Sequence, residues 1–461
     1  MPKLAVLNVV GLTPALLSHA PFLSRWSAGK QIASISPILP AVTCSVQSTF
    51  LTGVVPSVHG IVGNGWYFRD LGEVTFWHQS NRLVESEKIW ERARRDDAEF
   101  TCANMFWWYN MNSSVDYAVT PRPMYPADGR KIPDVYTTPS PLRHDLQDRF
   151  GRFPLFHFWG PRTSIRSTQW IADATMHVDE LHDPTLTLVY LPHLDYELQR
   201  VGPSASHIPA EVRAVDAVCE ELIAHFEARG ADVIVLSEYG ITPVRRAVSL
   251  NRVLRREGFV EVREELGRER LDPAASRAFA VADHQVAHIY VNNPNEQEDV
   301  QQLVADVPGV EAVFSGRERT LVGLDHERAG DLVAVADADA WFTYYYWLDD
   351  DRAPDYARTV DIHRKPGYDP VELFLDPELP SARLKAGFRL LQKKMGFRYL
   401  MDVIALDPSL VKGSHGRLPD EPEDGPLLMT SRPDLLSSTR VHATGVRDII
   451  LAHLRRTRPG G

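Results

Sequence analysis

The chain has 461 residues, of which 44% are hydrophobic and 24% charged, and its formal net charge is −11 at pH 7. This length can bury a large core, so we expect one large domain with an inserted lobe. The excess of acidic residues argues against a nucleic-acid polymer as partner, because such binders usually show clustered Lys and Arg. The three cysteines lie too far apart in the sequence for a disulfide framework or a CxxC zinc site.

The first residues do not resemble a secretory signal peptide. They form the strand-like sequence LAVLNVVGL rather than a charged segment followed by an apolar stretch and a cleavage site. The sequence also lacks a run of about 18 apolar residues, which a membrane-spanning helix would need. Together with the sparse cysteines, these features favour a cytoplasmic protein. The sequence gives no indication of the oligomeric state.

The first predicted element is a buried strand. Residues 3–12 form a continuous apolar, β-branched run that ends in glycine, which is typical of a parallel strand covered on both faces. Asn8 lies two residues before Val10, and since side chains alternate along a strand, both are expected on the same face. Asn8 is therefore expected to point toward any site at the end of this strand.

Residues 40–66 contain the first candidate functional residue, Thr43. It follows a Pro-flanked turn and precedes an apolar run with helical spacing, and a second turn ends at Asn64. A hydroxyl at the start of a helix lies beside free backbone N–H groups and the positive end of the helix dipole. Such a terminus suits a phosphate or sulfate ester that the hydroxyl attacks. For Thr43 alone, an ordinary helix N-cap explains the same residue.

Two further apolar strands lead into acidic residues. The run TLVYL, within residues 184–203, precedes Asp195, and the run ADVIVLSEYGI at 231–241 contains Glu238. Ligands of open α/β sheets bind at the carboxyl ends of the strands. We therefore expect both carboxylates at a common cleft, although a residue in the position of Glu238 can also simply cap the segment that follows.

The domain organisation follows from the same pattern. Residues 1–250 and 361–461 are expected to form the core, and residues 251–360 an inserted β-α-β lobe of the same domain. An aromatic-rich run, NMFWWYNMNSSVDY, occupies residues 104–117. Such a cluster can stack on a flat group, but more often it packs in a core.

Several further residues are candidate metal ligands. Asp283, His284 and His288 lie in the motif ADHQVAH, although each histidine taken alone is more often a hydrogen-bonded structural residue. Asp361 and His363 are two residues apart, so their side chains would share a face if the segment were a strand.

Together these motifs resemble those of the type I phosphodiesterase/nucleotide pyrophosphatase family of the alkaline phosphatase superfamily. That family has a P-x-x-T nucleophile, a T-G-x-x-P-x-x-H-G-I run and an asparagine after it. Later segments resemble its D-x-x-G-H-x-x-G-P, S-D-H-G-M and G-[ST]-H-G motifs. The matching residues are Pro40, Thr43, Thr52, Gly53, Pro56, His59, Gly60, Ile61, Asn64, Asp195, Gly202, Pro203, Ser237, Gly240, Gly413, Ser414, His415 and Gly416.

The resemblance implies an alkaline-phosphatase-like, three-layer α/β/α sandwich with a mostly parallel central sheet and an inserted, smaller α+β lobe. It implies that Thr43 is the nucleophile and that Asn64 donates a hydrogen bond to a phosphoryl oxygen. Two divalent metal ions bracket the ester in this family. Asp195 and His415 would hold one ion, and Glu238 would remain from the site of the other.

Three positions depart from the family's ligand pattern. Val10 replaces the aspartate at the end of the first strand, and Gln199 and Tyr239 each replace a histidine. The amide oxygen of Gln199, a candidate ligand, suits Mg²⁺, Ca²⁺ or Mn²⁺ better than zinc. Asn8 is a neutral and therefore weaker substitute for the lost carboxylate. His363 is the runner-up for the remaining histidine ligand.

The sequence thus predicts a metal-dependent hydrolase of phosphoric esters that acts on a small phosphorylated molecule through Thr43. One or two divalent ions are expected, and zinc, manganese and magnesium all remain candidates. A threonine hydroxyl without a metal or base is a poor nucleophile near neutral pH, so two alternatives stay open. In one, the protein is an altered relative that only binds a phosphorylated molecule; in the other, it runs a transfer or isomerisation on the same fold.

Overall fold

The computed structural model describes residues 1–127 and 130–455. A nine-stranded sheet forms the centre of the described chain, and five of its eight strand pairings are parallel. From edge to edge its strands are Arg440–His442, Ala33–Ser36, Leu427–Thr430, Asp232–Leu236, Leu4–Val9, Leu186–Leu191, Cys102–Met105, Tyr117–Pro121 and Val135–Thr138. The prediction of a mostly parallel central sheet is confirmed.

The middle of this sheet is formed by the apolar strands that the sequence predicts. Leu4–Val9 is buried along its whole length and pairs in parallel with Leu186–Leu191 and with Asp232–Leu236. Helices cover both faces of such a strand, which is why its sequence is continuously apolar rather than alternating. The carboxyl ends of the three strands therefore open at the same edge of the sheet.

Fourteen α-helices lie in the described residues, and those that cover the sheet belong to its large apolar core. The long helices Ile165–His182 and Ile208–Ala228 pack on each other, as do Thr43–Thr52 and Val446–Arg455. None of the described helices has both the length and the apolar character needed to cross a bilayer. The remaining helices are Pro14–Leu17, Pro21–Trp26, Pro56–His59, Ile89–Asp96, Leu142–Phe150, His193–Val201, Leu250–Arg256, Gln297–Ala305, Gly316–Leu321 and Ala382–Lys394.

A second, smaller sheet with its own apolar core lies within the residues predicted to form the lobe. Its strands, in spatial order, are Ala278–Asp283, Val286–Val291, Leu332–Ala336 and Val310–Ser315, and neighbouring strands are antiparallel. The lobe boundaries at 251 and 360 remain a prediction. Short two-stranded pairings join Gly65–Phe68 to Glu73–Phe76, Val262–Glu265 to Arg268–Leu271, Arg246–Val248 to Ala340–Phe342, and Thr242–Pro243 to Gly413–Ser414.

The turn between the first two strands of the small sheet contacts the core. His284 has a φ of +62°, in the left-handed region that non-glycine residues rarely adopt. The next residue, Gln285, donates its backbone N–H to the carbonyl oxygen of His415 at 2.9 Å. This contact fixes the lobe against the segment that contains the predicted histidine ligand.

Candidate active site

The candidate site lies at the carboxyl edge of the central sheet. Asp195 is in the helix His193–Val201 that follows one middle strand, and Glu238 follows another directly. Asn8 is the last but one residue of the strand between them. Parallel strands present their carboxyl ends at one edge, and ligands bind there in open α/β sheets. The topology thus brings these three side chains to one place.

Thr43 is the first residue of the ten-residue helix Thr43–Thr52, which follows an extended Val42. The side-chain oxygen of Thr43 is 3.0 Å from the hydroxyl oxygen of Tyr239. Tyr239 in turn donates its hydroxyl proton to Oδ1 of Asp195 at 3.2 Å. Because the Tyr239 proton is committed to the carboxylate, Thr43 is the donor in the first contact. A continuous chain of hydrogen bonds therefore runs from Thr43 to Asp195.

The other side of Asp195 is also hydrogen-bonded. Gln199, one helical turn later, donates its amide to Oδ2 of Asp195 at 2.8 Å and accepts from the hydroxyl of Tyr368 at 2.8 Å. Burial raises the pKa of Asp195 to about 7, although the hydrogen bonds from Tyr239 and Gln199 favour the ionised form. The carboxylate can therefore take up or release a proton near neutral pH.

Glu238 occupies a separate, fully buried position. Its Oε1 accepts hydrogen bonds from the amides of Asn8 and Gln47, and Gln47 lies one turn after Thr43 on the same helix. Burial raises the pKa of Glu238 to about 8, and the nearby Asp195 adds to this increase. At neutral pH the side chain is therefore mostly a neutral carboxylic acid. Burial thus brings the pKa values of both acidic residues close to neutral pH, where each can exchange a proton.

Asn64 is fixed against the start of the helix. Its side-chain oxygen accepts the backbone N–H of Cys44 at 3.0 Å. Its backbone N–H and its amide nitrogen donate to the carboxylate of Asp283 at 2.7 and 3.1 Å. Asp283 lies in the lobe, so this contact connects the lobe to the residue beside Thr43. Burial raises the pKa of Asp283 to about 6, against the opposing effect of these hydrogen bonds.

His415 lies beside Asp195 and stacks on Tyr239. Its Nε2 is 3.8 Å from Oδ1 of Asp195, and its ring is 3.6 Å from the Tyr239 ring with an angle of 7° between them. The Nδ1 donates to the carbonyl oxygen of Ala41 at 2.8 Å, which leaves the lone pair on Nε2. Burial holds the pKa of His415 well below its usual value. The imidazole is therefore neutral, and its free nitrogen faces Asp195.

Three buried polar atoms of the site have no hydrogen-bond partner among the described residues. They are Oδ1 of Asn8, Oε2 of Glu238 and Nε2 of His415. A buried polar atom is almost always paired with protein, water or a ligand. All three atoms can accept a hydrogen bond, so their position indicates that a bound molecule, water or ion completes the site.

The ligand positions of a two-metal centre are only partly filled. Val10 is a buried aliphatic residue, Tyr239 places a hydroxyl between Thr43 and Asp195, and Gln199 turns its amide N–H toward Asp195. In the part of the chain that the structure describes, no three His, Cys, Asp or Glu side chains are grouped so that they could hold a metal ion. The residues present therefore do not fit a pair of zinc ions, which need anionic or imidazole ligands at each position.

His363 lies away from these residues. Its segment is a turn rather than a strand, so Asp361 and His363 do not share a strand face. Its Nδ1 is 3.3 Å from the carbonyl oxygen of Phe76, and no described contact joins it to Thr43 or Asp195. The lobe histidines are also separated, because His284 lies in the turn and His288 in the strand after it. His284 packs against His415 with ring centres 3.8 Å apart and an angle of 39° between the rings, whereas His288 contacts the carbonyl oxygen of Val62.

Aromatic side chains cover the site. Trp107, Trp108 and Tyr109 of the aromatic run are buried, and the backbone N–H of Trp108 donates to Gln47 at 2.7 Å. Trp77 packs on Trp108 with ring centres 5.0 Å apart. Thr43 itself is only 3% exposed. The buried aromatic run thus packs next to Gln47 in the core.

Sequence reasoning does not find two of the side chains that organise the site, and it gives a third a different role. Gln47 and Tyr368 contact Glu238 and Gln199 through the fold, from positions that have no motif around them. Asp283 is a candidate ligand from the sequence, but the structure places it as the partner of Asn64. The ADHQ sequence that contains Asp283 is the feature by which the sequence indicates this part of the lobe.

The fold agrees with the comparison to known proteins. The fold is that of the alkaline phosphatase superfamily. A family model described as type I phosphodiesterase / nucleotide pyrophosphatase matches residues 4–369. The match includes most of the central sheet and the residues from Thr43 to Tyr368. The chain belongs to this family.

One curated relative and two solved structures illustrate the similarity. An uncharacterized pyrophosphatase/phosphodiesterase of Schizosaccharomyces pombe is 26% identical over 249 residues, which is 50% of this chain but only 41% of that protein. The murine ectonucleotide pyrophosphatase / phosphodiesterase 5, in an inactive form with AMP, superposes with a TM-score of 0.59 and 14% identity, covering 100% of this chain and 97% of the other. Phosphonoacetate hydrolase from Sinorhizobium meliloti, with phosphonoformate, gives a TM-score of 0.59 and 14% identity, covering 98% and 96%. At these identities the structural matches establish the fold.

Proposed function

We propose that this protein hydrolyses phosphoric esters of a small molecule, with Thr43 as the nucleophile. The observation that supports this most directly is the hydrogen-bonded chain from the Thr43 hydroxyl through Tyr239 to Asp195. A threonine needs a base to become nucleophilic. The Asp195 carboxylate, at the end of these hydrogen bonds, is the base that we propose. The family membership and the ligands named for the two solved structures, AMP and phosphonoformate, favour the same class of substrate.

The first step forms a bond between the Thr43 oxygen and phosphorus and breaks the bond from phosphorus to the leaving oxygen. As it attacks, Thr43 passes its proton to the Tyr239 oxygen, and Tyr239 passes its own proton to Asp195. Glu238, protonated at neutral pH, gives its proton to the leaving oxygen. In the second step water attacks the phosphorylated Thr43, and the proton moves back from Asp195 through Tyr239 to the threonine oxygen while the water proton returns to Glu238. Atoms and protons balance over the cycle.

The charge that develops on phosphorus is held at the start of the helix. The helix beginning at Thr43 directs its free N–H groups and positive dipole end to this point. Asn64, fixed by Asp283, has a second amide hydrogen that can donate to a phosphoryl oxygen. Oxyanion donors that are held in place before the reaction give the largest benefit.

The charges around the site favour a substrate with one negative charge. The side chains that hydrogen-bond Thr43, Asn64, Asp195 and Glu238 are acidic or neutral, and they are Tyr239, Asp283, Gln199, Asn8 and Gln47. A phosphomonoester dianion would meet the Asp195 carboxylate without a side-chain cation among these contacts. A phosphodiester has a single charge, so we propose a small diester as the substrate class.

The metal requirement is a separate proposal. Asp195 and His415 would hold a single divalent ion more weakly than a full set of anionic and imidazole ligands would. Gln199, the third candidate ligand, would have to turn its amide to present the oxygen, which accepts from Tyr368 in this structure. Zinc, manganese and magnesium remain candidates for that ion. The proton transfers described above use only the side chains of this chain.

A non-catalytic relative that binds a phosphorylated molecule is the second candidate function. The burial of Thr43 and the replacement of three ligand positions favour it. The two candidates differ in a simple assay with an aryl phosphodiester, first with added Mn²⁺, Mg²⁺ or Zn²⁺ and then with a chelator. We expect turnover by the wild type, loss of turnover in Thr43→Ala, and retention in Thr52→Ala, a matched change at the other end of the same helix. Binding of AMP by calorimetry without any turnover would support the second candidate.

A further inference from the structure

The helix Ala382–Lys394 is amphipathic. Unlike a helix that packs on a core, it turns its apolar side to solvent. Leu384, Phe388 and Leu391 project into solvent with exposures of 75%, 56% and 51%, and Met395, which continues the last turn, is 55% exposed. These positions are four, three and four residues apart, so they lie on one face of the helix. The apolar face of this helix therefore points outward.

The polar side of the same helix contacts the protein. Lys385 pairs with Asp402 at 2.8 Å, and Arg389 pairs with the same carboxylate at 3.1 Å. Ala386 packs against a small apolar cluster below the helix. Since these contacts fix the polar side inward, the apolar side cannot rotate into the core without breaking them. The exposed face is a consequence of how the helix is attached.

The apolar surface continues past the end of the helix. Phe397 is 63% exposed and Leu400 is 40% exposed. Contiguous exposed apolar patches are uncommon on proteins that remain unpartnered, and they usually mark an interaction site. This surface, defined by Leu384, Phe388, Leu391, Met395 and Phe397, is hereafter the outer apolar face.

The sequence around the outer apolar face has a charge opposite to that of the whole chain. Residues 379–401 contain no Asp or Glu, whereas the chain as a whole has a net charge of −11. Lys394 and Arg398 are exposed beside the apolar side chains. The six cations of this segment are Arg383, Lys385, Arg389, Lys393, Lys394 and Arg398.

We propose that this segment docks on the surface of an anionic lipid bilayer, with the outer apolar face inserted among the acyl chains and the exposed Lys394 and Arg398 against the headgroups. An exposed apolar face flanked by Lys and Arg is the combination that binds such surfaces. A helix of thirteen residues is about 20 Å long, shorter than the hydrocarbon core, so it lies in the plane of the interface. The docking does not depend on the hydrolytic function proposed above.

A second copy of this chain is a less favourable occupant. In a two-fold symmetric dimer the same patch meets itself, so the cations of one copy would face those of the other. Close contact between like charges opposes association, most strongly at low salt. An anionic bilayer, by contrast, attracts each cation near its surface.

Sedimentation of the full-length protein with vesicles tests the proposal. We expect binding to vesicles of phosphatidylcholine mixed with phosphatidylglycerol, weaker binding to phosphatidylcholine alone, and further weakening by salt. The double variant Phe388→Ser/Leu391→Ser should bind the anionic vesicles at least about tenfold more weakly than the wild type, because it removes inserted apolar area. Lys394→Gln/Arg398→Gln should lose about tenfold of the preference for anionic vesicles.

The matched control is Leu266→Ser/Leu321→Ser, which removes two leucines that are at least as exposed but lie elsewhere. This variant should bind like the wild type. The proposal is wrong if the wild type does not sediment with anionic vesicles, or if the outer-face variant binds as tightly as the control. Light scattering after gel filtration measures the oligomeric state, and so tests whether a second copy of the chain occupies the outer apolar face. A wild-type dimer that Phe388→Ser/Leu391→Ser separates into monomers, with no vesicle binding, would assign the face to a second copy.

Discussion

Tyr239 is the residue that most changes the chemistry of the site. The family pattern has a metal-binding histidine at this position, and the phenol places a hydroxyl between Thr43 and Asp195 instead. Burial holds the pKa of Tyr239 well above its usual value, so the hydroxyl stays protonated and donates to Asp195. Its ring stacks on His415. The substitution thus exchanges a metal ligand for a link in a proton-transfer chain.

The change Tyr239→Phe tests that role. It removes the hydroxyl but keeps the ring against His415, so we expect the fold to be retained. Loss of proton transfer should reduce kcat by about 10²–10⁴-fold. Tyr345→Phe is the control, because the Tyr345 hydroxyl is buried without a described partner. Equal rates for wild type and Tyr239→Phe on an aryl phosphodiester would exclude the relay.

The pH dependence of the rate gives a second readout of the same chain. Asp195 accepts a proton only when it is ionised, and its pKa is about 7. We therefore expect kcat to rise as the pH increases through about 7 and to fall above about 8, where Glu238 loses the proton that it gives to the leaving oxygen. Asp195→Asn should lower the rate and remove this rise. A rate that is flat from pH 5 to 9 would contradict the assignment of Asp195 as the base.

The zinc content of the protein tests whether the replaced ligands have removed a two-metal centre. Val10→Asp and Tyr239→His together restore a carboxylate and an imidazole at the positions where the family has them. Elemental analysis of the purified double variant should show more zinc per chain than the wild type. If the wild-type protein already holds a full pair of zinc ions tightly, the ligand positions have been misassigned.

At the scale of secondary structure, the helix Thr43–Thr52 and the lobe turn after Ala278–Asp283 determine the site together. The helix contributes Thr43 and Gln47, and the strand end before the turn contributes Asp283, which fixes Asn64. The N–H of Cys44, at the second position of the helix, is accepted by Asn64. The side chain of Asn64 thus acts as a remote cap for the helix as well as a candidate donor to the substrate.

The change Asn64→Ala should affect rate far more than stability. The lost phosphoryl donor is expected to reduce kcat by about 10²–10³-fold. The unpaired Cys44 N–H and Asp283 carboxylate should lower the free energy of unfolding by roughly 1–3 kcal/mol. Denaturant unfolding and steady-state kinetics on the same preparations separate the two effects. If the fraction of Asn64→Ala that is unfolded under assay conditions accounts for the whole loss of kcat, Asn64 is only structural.

The sequence predicts these elements well because their patterns are local. The continuous apolar run at Leu4–Val9 and the motif around Thr43 each need only neighbouring residues to be interpreted. The contacts of Asp283 and Tyr368 could not be predicted, since they join segments separated by 219 and 169 residues. For a related reason, the sequence does not predict that the apolar face of the helix Ala382–Lys394 is exposed to solvent. Its periodicity predicts an amphipathic helix but does not say which face meets the protein.

At the scale of the whole molecule, the site contains three buried carboxyl groups, those of Asp195, Glu238 and Asp283. Burial raises the pKa values of Asp283, Asp195 and Glu238 to about 6, 7 and 8. In the unfolded chain such groups release their protons near pH 4. The folded protein therefore binds more protons than the unfolded chain between pH 4 and 8.

Stability is accordingly expected to be greatest below about pH 4 for these three groups and to fall as the pH rises through 6, 7 and 8. Glu238→Gln keeps the acceptor oxygen for Asn8 and Gln47 but cannot ionise, so it should reduce the loss at the alkaline end. Thermal unfolding of both proteins from pH 5 to 9 checks this, with Glu220→Gln, an exposed surface change, as the control. A Tm that rises with pH through this range in the wild type would contradict the raised pKa values.

The family membership, matched over residues 4–369, and the fold are established, whereas the proposed chemistry depends on a small number of replaced residues. Gln199 and Tyr239 contact Asp195 directly, and Tyr239 also contacts Thr43, so these two substitutions act on the same reaction centre. They put hydrogen-bonding groups where metal ligands are expected. The central claim is that Thr43 still attacks phosphorus in this altered site.

Mass spectrometry of the protein quenched during turnover of an aryl phosphodiester tests that claim most directly. The phosphorylated Thr43 intermediate should appear as an added phosphoryl ester group on the peptide that contains Thr43, and it should be absent from Thr43→Ala. Steady turnover with this peptide unmodified, at a rate that Thr43→Ala retains, would contradict nucleophilic catalysis by Thr43.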